Sequence, residues 1–450
     1  MIKNTLIIGL ILLSLTLFSQ VDTTDGSGYS LKQAQEYALQ HNYSIINSGR
    51  DVDAAKKKVW ETTAIGLPQI SAEAQFQNFI DLPTSITPAT AFNPSAPADE
   101  FVELQFGTDY NTSATLSASQ LIFDGTYIVG LQAAKTYKEL SINSKIKTEA
   151  EMKDVVAQAY HTTVGAIKNH QSLEVSYNSA VTLLNETKAM YNEGIAEEQD
   201  VNQLELNTIS LKNAVNQAKR QVLLALKMLK FQMGMDLAES ITLTDTFEML
   251  VEMDGESTVL ITQEFNVANH FDYKLIQTNE ELMKLNYRKE KYAFAPSFSA
   301  FFSHSQQNFS NNFDAFSGGK WYPSTLWGLS VKLPLITSGM RLAKMGQAKI
   351  EHEKAITNSK QMEQNLMLQA EISQSRYQMA YDTYETEKRN LVLAKSIHNK
   401  MIKKYGEGLV SSMEITQSQN QLLNVEGLYK RAIYDLLNAK STLKKALGNE

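Results

Sequence analysis

YNEGIAEEQDVNQLELN (residues 191–207) returns in altered form as YGEGLVSSMEITQSQNQ (residues 405–421), 214 residues later in the chain (405 minus 191). The offset persists without a gap, because Gly234 meets Gly448 and Gly125 meets Gly339. A constant offset over such a length predicts a duplicated structural unit.

The two copies share a turn followed by a helix with a seven-residue apolar repeat. Gly194 and Gly408 lie between helical patterns, where a glycine can adopt positive φ and end a helix. A sustained heptad predicts a coiled-coil seam, and an ordinary amphipathic helix on a core is the alternative. The seam positions are Val201, Leu204, Thr208, Leu211, Val215, Ala218, Val222, Ala225 and Leu229 in the first copy, and Ile415, Ser418, Leu422, Val425, Tyr429, Ala432, Leu436, Ala439, Leu443 and Ala446 in the second.

Composition excludes several classes of protein. The chain has 450 residues and a net charge of −7, which argues against a nucleic-acid partner. It has no cysteine, so a disulfide framework, a thiolate metal site and a cysteine lipid anchor are excluded.

Residues 1–20 are predicted to be a secretory signal peptide, with Lys3 before the apolar run Ile7–Phe18. That run is too short to span a membrane as a helix. No later apolar run approaches a spanning length. Membrane insertion of the mature chain would therefore use β-strands.

Four segments switch to two-residue alternation, which predicts strands at about 68–77, 110–121, 296–306 and 326–335. In the first, Ile70, Ala72, Ala74 and Phe76 share one face, while glutamines, a serine and Glu73 occupy the other. Four of the eight prolines fall within Ile80–Asp109, which predicts a long exposed loop. Gln307–Thr325 is predicted to be a second loop.

Helical patterns surround these strands in both halves of the chain. We predict a first repeat over 21–234, a connector or equatorial region over 235–264 and a second repeat over 265–450. Each repeat reads helix, β-hairpin, long helix, turn and returning helix. The predicted helices are Tyr29–Asn42, Ile45–Ile65 and Gly125–Tyr191 in the first repeat, and Phe265–Tyr292 and Gly339–Tyr405 in the second, each repeat closing with its heptad helix.

Four strands of this length fit a tilted crossing of a bilayer but cannot close a barrel alone. Open sheet edges in lipid are forbidden because their backbone groups would be unpaired, so strands from several chains are needed. Tyr110, Trp321, Tyr322 and Trp327 are candidates for an interfacial aromatic belt against outer-membrane lipid. Soluble hairpins packed on helices are the alternative.

At this point the chain resembles the TolC-like outer-membrane efflux proteins (outer membrane factors). The resemblance rests on the duplication, the junction Leu121–Gly125 and the two Tyr-x-Glu-Gly turns, which precede Asp200-Val201 and Glu414-Ile415. It implies a mainly α fold with a transmembrane β-barrel: a homotrimeric, twelve-stranded barrel joined to a periplasmic α-helical coiled-coil barrel.

The resemblance also implies a function. The chain would form the passive exit duct of a tripartite efflux pump or type I secretion system in the outer membrane of a Gram-negative bacterium. Its partners would be two further copies of itself, a periplasmic adaptor (membrane fusion) protein and an inner-membrane transporter.

Site residues follow from the same resemblance. The acidic residue lining the family's periplasmic aperture matches Glu414, whereas the second acid of some members is replaced here by Gln417. Glu414 could instead be a solvated carboxylate favoured by the helix dipole. Asp200 is its less central equivalent. Gly194, Ile195, Gly408 and Leu409 match the helical tips that contact the adaptor.

No enzymatic or cofactor chemistry is predicted. The seven histidines are scattered without metal-ligand spacing, and Glu351, His352 and Glu353 point apart on one helix. An envelope hydrolase therefore lacks a catalytic constellation. A periplasmic coiled-coil scaffold without membrane insertion remains the alternative function, and the sequence does not specify the cargo.

Overall fold

The structure is a computed structural model that describes residues 28–252, 265–313 and 319–448. The predicted signal peptide, residues 1–20, lies outside the described residues. So do part of the predicted connector and part of the predicted second loop.

Two very long helices dominate the chain, one in each half. Helices α3 and α7 contain 68 and 67 residues, and at 1.5 Å per residue each is about 100 Å long. Neither contains a proline, so no backbone donor is lost along them. The helices are α1 (Leu31–His41), α2 (Tyr43–Ile65), α3 (Gly125–Asn192), α4 (Glu198–Met233), α5 (Phe247–Glu252), α6 (Phe271–Tyr292), α7 (Met340–Gly406) and α8 (Ser412–Leu447).

The start of α6 differs from the expectation of a helix from Phe265. A single 3₁₀ turn at Val267–Asn269 comes first. His270 then caps α6, because its ring nitrogen accepts a hydrogen bond from the backbone N–H of Asp272 at 3.2 Å. Sequence periodicity merged the two segments because it does not register a histidine cap.

A four-stranded antiparallel sheet forms in the order β1-β4-β5-β6. Both predicted hairpins are present, as β1 with β4 and β5 with β6, and β4–β5 pairing joins them. The strands are β1 (Gln69–Asn78), β4 (Tyr110–Phe123), β5 (Ser297–Ser310) and β6 (Trp321–Lys332), while β2 (Thr84–Pro88) and β3 (Phe101–Gln105) form a separate two-stranded sheet.

The β2–β3 hairpin corrects the expectation of an irregular loop over Ile80–Asp109. Its prolines do not interrupt the ladder: Pro83 precedes β2, Pro88 is its last residue, and Pro94 and Pro97 lie in the connection. The prolines therefore lie at or outside the strand ends, where the missing N–H is tolerated.

The second hairpin is longer than its alternation predicts. Pairing continues from Gln306 to Asn308, which faces Trp321, so β6 begins before Leu326. It ends at Lys332, two residues before Pro334. Asparagine, glutamine and aromatic residues resemble a loop in sequence, but backbone pairing with a neighbouring strand keeps them extended.

The heptad seams are largely buried. Leu204 and Leu229 of α4 and Leu443 of α8 are almost fully inaccessible, as are the small residues Ala218 and Ala432. Tyr429 is an exception, since it is only half-buried and stacks on Tyr384 with ring centroids 6.0 Å apart. The seam is therefore a packed interface within one chain, with some positions left partly open.

The chain divides into two compact units. One comprises residues up to 42, 153–257 and 380–438, and the other comprises 43–152, 258–379 and 439–450. Each unit takes segments from both predicted repeats, so a repeat is not a compact body. The boundaries at 21–234, 235–264 and 265–450 remain predictions about the sequence.

Within the first unit, a buried tyrosine ties three distant segments together. The Tyr160 hydroxyl oxygen lies 2.8 Å from the carbonyl oxygen of Tyr29 and 3.0 Å from Oδ2 of Asp245, so its one proton is shared between two acceptors. The same carboxylate oxygen accepts from the backbone N–H of Leu31 at 2.7 Å. Burial raises the pKa of Tyr160, which keeps the phenol protonated as a donor. Helix α1, helix α3 and the connector thus share one hydrogen-bond network.

The seam makes a direct prediction. Ala432 is 3% exposed, so Ala432→Glu would bury an unpaired carboxylate and lower the free energy of unfolding by a few kcal/mol. Asn424→Glu places the same side chain on an exposed position of α8 and serves as the control. Thermal unfolding followed by circular dichroism in detergent would measure both. Equal melting temperatures for the two variants would contradict the buried seam.

Candidate functional site: the amphipathic sheet and the helical turns

One face of the four-stranded sheet is mostly apolar and exposed, although Thr112, His304, Gln306 and Asn308 also lie on it toward the loops. Register places Ile70 opposite Ala118, Ala118 opposite Phe302 and Phe302 opposite Trp327, so these side chains form one row. Ile70 is 72% exposed and Trp327 is 78% exposed. The face also contains Ala72, Ala74, Phe76, Ala114, Leu116, Phe298, Ala300, Leu329 and Val331.

The other face of the sheet is mostly polar. Thr115 and Ser305 lie opposite each other and their hydroxyls are 3.0 Å apart. Small hydroxyl and amide side chains dominate this face: Gln69, Ser71, Gln75, Gln77, Asn111, Ser113, Ser117, Ser119, Ser299, Ser303 and Gln307, with Glu73 among them. A sheet with one apolar and one polar face suits a boundary between lipid and water.

Both outer edges of the sheet carry backbone groups without a strand partner in the chain as described. The order β1-β4-β5-β6 leaves one edge of β1 and one edge of β6 open. The strands contain 10 to 14 residues, enough for a tilted strand to cross the hydrocarbon core of a bilayer. In lipid, an amphipathic sheet of this length with open edges would need further strands to pair those edges.

The four aromatic-belt candidates take different positions. Tyr110 and Trp321 lie at the end of the sheet next to the loops, and Tyr110 stacks on Phe76. Trp327 lies farther along the apolar face, in the row of Phe302. Tyr322 pairs with Gln307 and so lies on the opposite, polar face. Sequence alternation did not assign Trp321 and Tyr322 to sheet faces, because the predicted strand began only at residue 326 whereas β6 begins at Trp321.

The junction Leu121–Gly125 converts a strand into a helix within two residues. The Asp124 carboxylate accepts hydrogen bonds from the backbone N–H groups of Thr126 at 2.7 Å and Tyr127 at 2.9 Å, which caps α3. Gly125 lies against the ring of Tyr292, where an added Cβ would be 3.0 Å from the ring carbon Cδ1. Asp124 and Gly125 thus fix the direction in which α3 leaves β4.

The two turns have the same geometry. Gly194 and Gly408 have φ of +75° and +71°, as their places in the motif predict. In each turn, the backbone N–H of the residue after the glycine donates to the carbonyl five residues earlier. Ile195 donates to the Met190 carbonyl at 2.8 Å, and Leu409 donates to the Lys404 carbonyl at 2.9 Å. This is a Schellman ending. Ile195 is 71% exposed and Leu409 is 67% exposed, so both turns present an apolar side chain to solvent.

Each helix that follows a turn begins with a capping box. Glu197 pairs with Asp200 at the start of α4, and Ser411 pairs with Glu414 at the start of α8. The pKa of Glu414 is lowered mainly by the hydrogen bond from the backbone N–H of Ser411, and further by the hydrogen bond from the Ser411 hydroxyl. Glu414 is therefore ionised near neutral pH, and its side chain is exposed at the helix start. Gln417 is exposed one turn later.

Two side-chain contacts join the helical hairpins near their turns. The buried Ser412 hydroxyl donates to Oδ1 of Asp200, and the buried hydroxyls of Thr187 and Tyr405 are 2.8 Å apart. Local sequence patterns predict neither contact, because both join residues far apart in the chain. The Ser411–Glu414 capping box is not among the predictions above, although a Ser-x-x-Glu pattern before a helix signals one.

The described residues contain no helix long and apolar enough to cross a membrane. Nor do they contain a group of three or more acidic or histidine side chains placed to hold a metal ion. What they do contain is a sheet with an exposed apolar face joined to long, seamed helices. That combination is typical of outer-membrane channels that join a β-barrel to a helical barrel.

Comparison with known proteins agrees with this class. Residues 268–449 match the family model described as outer membrane efflux protein. The second half of the chain is therefore similar to the outer membrane efflux proteins, which confirms the resemblance to TolC-like proteins. Comparison with curated proteins gives no match.

Solved structures share the fold along almost the whole chain. CusC, whose structures concern folding and transmembrane channel formation, has a TM-score of 0.71 at 17% identity, covering 93% of this chain and 92% of its own. VceC of Vibrio cholerae, an outer membrane protein, has 0.69 at 15%, covering 93% and 96%. The Campylobacter jejuni CmeC outer membrane channel has 0.70 at 18%, covering 93% and 85%.

These likenesses confirm the predicted fold class, a mainly helical chain that joins a helical barrel to a β-barrel. The family match also confirms the outer-membrane localisation with a periplasmic extension. The proteins described by the matching family model are transport channels and not enzymes.

The two sheet faces predict opposite responses to charge. Ala118→Lys places a cation on the apolar face and would cost about 2–4 kcal/mol in the middle of a bilayer. Ser117→Lys places the same cation on the polar face, one residue away. Yield of folded, heat-resistant protein from outer membranes should fall for Ala118→Lys and stay near the parent for Ser117→Lys. Equal yields would show that the apolar face does not meet lipid.

Proposed function

We propose that this chain forms a homotrimeric outer-membrane channel that serves as the passive exit duct of a tripartite efflux pump or type I secretion system. The observation that carries the proposal is the sheet, whose apolar face is exposed and whose two edges are open. Lipid stabilises the apolar face, but it does not stabilise the open edges of one chain, because unpaired backbone groups there cost several kcal/mol each.

Assembly of three chains removes both edges. The open edge of β6 in one protomer would pair with the open edge of β1 in the next, which gives twelve strands with the apolar faces outward. The polar faces, rich in serine, threonine and glutamine, would then line a water-filled interior. Fewer strands than about eight do not close a transmembrane barrel.

The turns are the proposed contact with a periplasmic adaptor protein. Gly194 and Gly408 form two similar projections, each with one exposed aliphatic residue, Ile195 or Leu409. Three chains would present six such projections, and an adaptor with a small apolar pocket per projection fits them. An inner-membrane transporter would deliver cargo through the adaptor, so cargo selection need not reside in this chain.

Glu414 and Gln417 are the proposed lining of the periplasmic aperture. Both are exposed on α8 immediately after the second turn, one helical turn apart. The capping box holds the Glu414 carboxylate ionised, so three copies would form a ring of negative charge. A ring of carboxylates at a constriction favours cations over anions. Helix capping and aperture lining are compatible roles, because capping uses Oε2.

Trimer formation is testable by electrophoresis. Protein extracted from outer membranes in mild detergent should migrate as a trimer without heating and as a monomer after boiling. The physical reason is that strand pairing between protomers must break before the chains separate. A monodisperse monomer with full strand content in the same detergent would overturn the closed-barrel proposal.

The aperture is testable in reconstituted single channels. Wild-type channels at low salt should prefer cations, and divalent or trivalent cations added on the periplasmic side should block them. Glu414→Gln should relieve the block with an unchanged yield of trimer, because glutamine preserves the capping box.

Glu73→Gln is the matched control, since it removes a carboxylate from the polar face of β1. It should leave periplasmic-side block intact. Block that persists unchanged in Glu414→Gln would show that Glu414 acts only as a cap.

A further inference from the structure

The duplication lets the cores of the two helical hairpins be compared position by position. In the first hairpin, made by α3 and α4, Leu184, Val201 and Leu204 form a buried apolar cluster. Adding the repeat offset of 214 gives His398, Ile415 and Ser418 in the second hairpin, made by α7 and α8. A leucine pair in one copy is therefore a histidine and a serine in the other.

These two polar residues occupy core positions. His398 is 7% exposed and Ser418 is 6% exposed, close to the 8% and 1% of Leu184 and Leu204. Nδ1 of His398 and Oγ of Ser418 are 3.3 Å apart, so the pair makes a buried hydrogen bond between α7 and α8. A titratable group thus replaces an apolar contact within the seam of the second hairpin.

A cavity of about 280 Å³ adjoins His398. Helix α3 contributes Glu186, the one other titratable side chain among the described lining residues; it is exposed to solvent and does not contribute to the pKa shift of His398. Helix α4 contributes Asn207, while α8 contributes Thr416 and Gln419, all uncharged. Burial lowers the pKa of His398, and a hydrogen bond with Gln419 opposes that shift only in part.

We propose that the second helical hairpin contains a proton-sensitive core contact, in which protonation of His398 loosens the packing of α7 against α8. The first hairpin lacks this sensitivity because its equivalent positions are leucines. Acidification would therefore open one hairpin of each chain and leave the other packed.

The direction follows from linkage. His398 is neutral when packed, whereas in the opened hairpin it is hydrated and has a pKa near the ordinary value of about 6.5. The opened state therefore binds more protons, and its population rises as the pH falls below about 6.5. The ratio of opened to packed hairpin rises by up to tenfold for each pH unit lost, until His398 also becomes protonated in the packed state. Above about pH 7 the contact is at full strength.

Hydrogen exchange measured by mass spectrometry on the full-length protein in detergent tests the proposal. After correction for the intrinsic pH dependence of exchange, peptides around His398 and Ser418 should lose about tenfold of their protection between pH 7.5 and pH 5.5. Peptides around Leu184 and Leu204 should change much less. This measurement does not require the protein to conduct, so it is independent of the proposed channel function.

Three variants complete the test. His398→Leu installs the residue of the first hairpin, and His398→Gln keeps a polar group without the titration; both should abolish the acid-induced loss of protection. His41→Gln alters an exposed histidine on α1 and should leave it intact. An equal loss in both hairpins of the parent, or a loss that survives in His398→Gln, would overturn the proposal.

A second measurement relates the contact to conduction and rests on the proposed function. Helix α8 contains both Ser418 and Glu414, so loosening it would shift the proposed aperture. Reconstituted parent channels should open more often at periplasmic pH 5.5 than at 7.5, and His398→Gln channels should not. Channels that conduct but show equal pH responses would overturn the link to the aperture, whereas absence of conduction in both would count against the duct itself.

Discussion

Backbone hydrogen bonding in lipid is the constraint on which this structure depends. Inside a bilayer no water can satisfy an open strand edge, so a sheet must close on itself or on other chains. Here the sheet order β1-β4-β5-β6 leaves two edges, and its apolar face is exposed at Ile70 and Trp327. A four-stranded sheet with two open edges therefore needs further strands in lipid, which is the physical basis of the proposed trimer.

The helical part meets a different constraint. Helices of 68 and 67 residues cannot be stabilised by propensity alone, because most helical stability in proteins comes from packing an apolar face. The heptad seam supplies that face along α4 and α8, and Schellman turns at Gly194 and Gly408 bring each returning helix back onto its long partner. Capping boxes then satisfy the donors at the start of each returning helix.

Duplication supplied the framework, and later divergence gave the two hairpins different chemistry. Tyr405 is buried against Thr187, whereas its equivalent Tyr191 is 43% exposed. Asp200 accepts a hydrogen bond from Ser412 of the other hairpin, while its equivalent Glu414 accepts hydrogen bonds from Ser411 of its own cap. The core leucine pair Leu184 and Leu204 of the first hairpin is matched by His398 and Ser418 in the second. The two helical hairpins therefore have similar backbones but different side chains near the proposed aperture.

The sequence by itself determined the duplication, the long helices, the two glycine turns and the alternating strands. These features follow from local rules: positive φ at glycine, a seven-residue seam and two-residue alternation. The tertiary structure decided what local rules do not reach. The β2–β3 hairpin, the extension of β6 to Trp321 and the face of Tyr322 depend on which strand pairs with which. The contacts of Tyr160, Ser412 and His398 depend on residues distant in sequence meeting in space, because a buried polar group is stabilised by its partner and not by its neighbours in the chain.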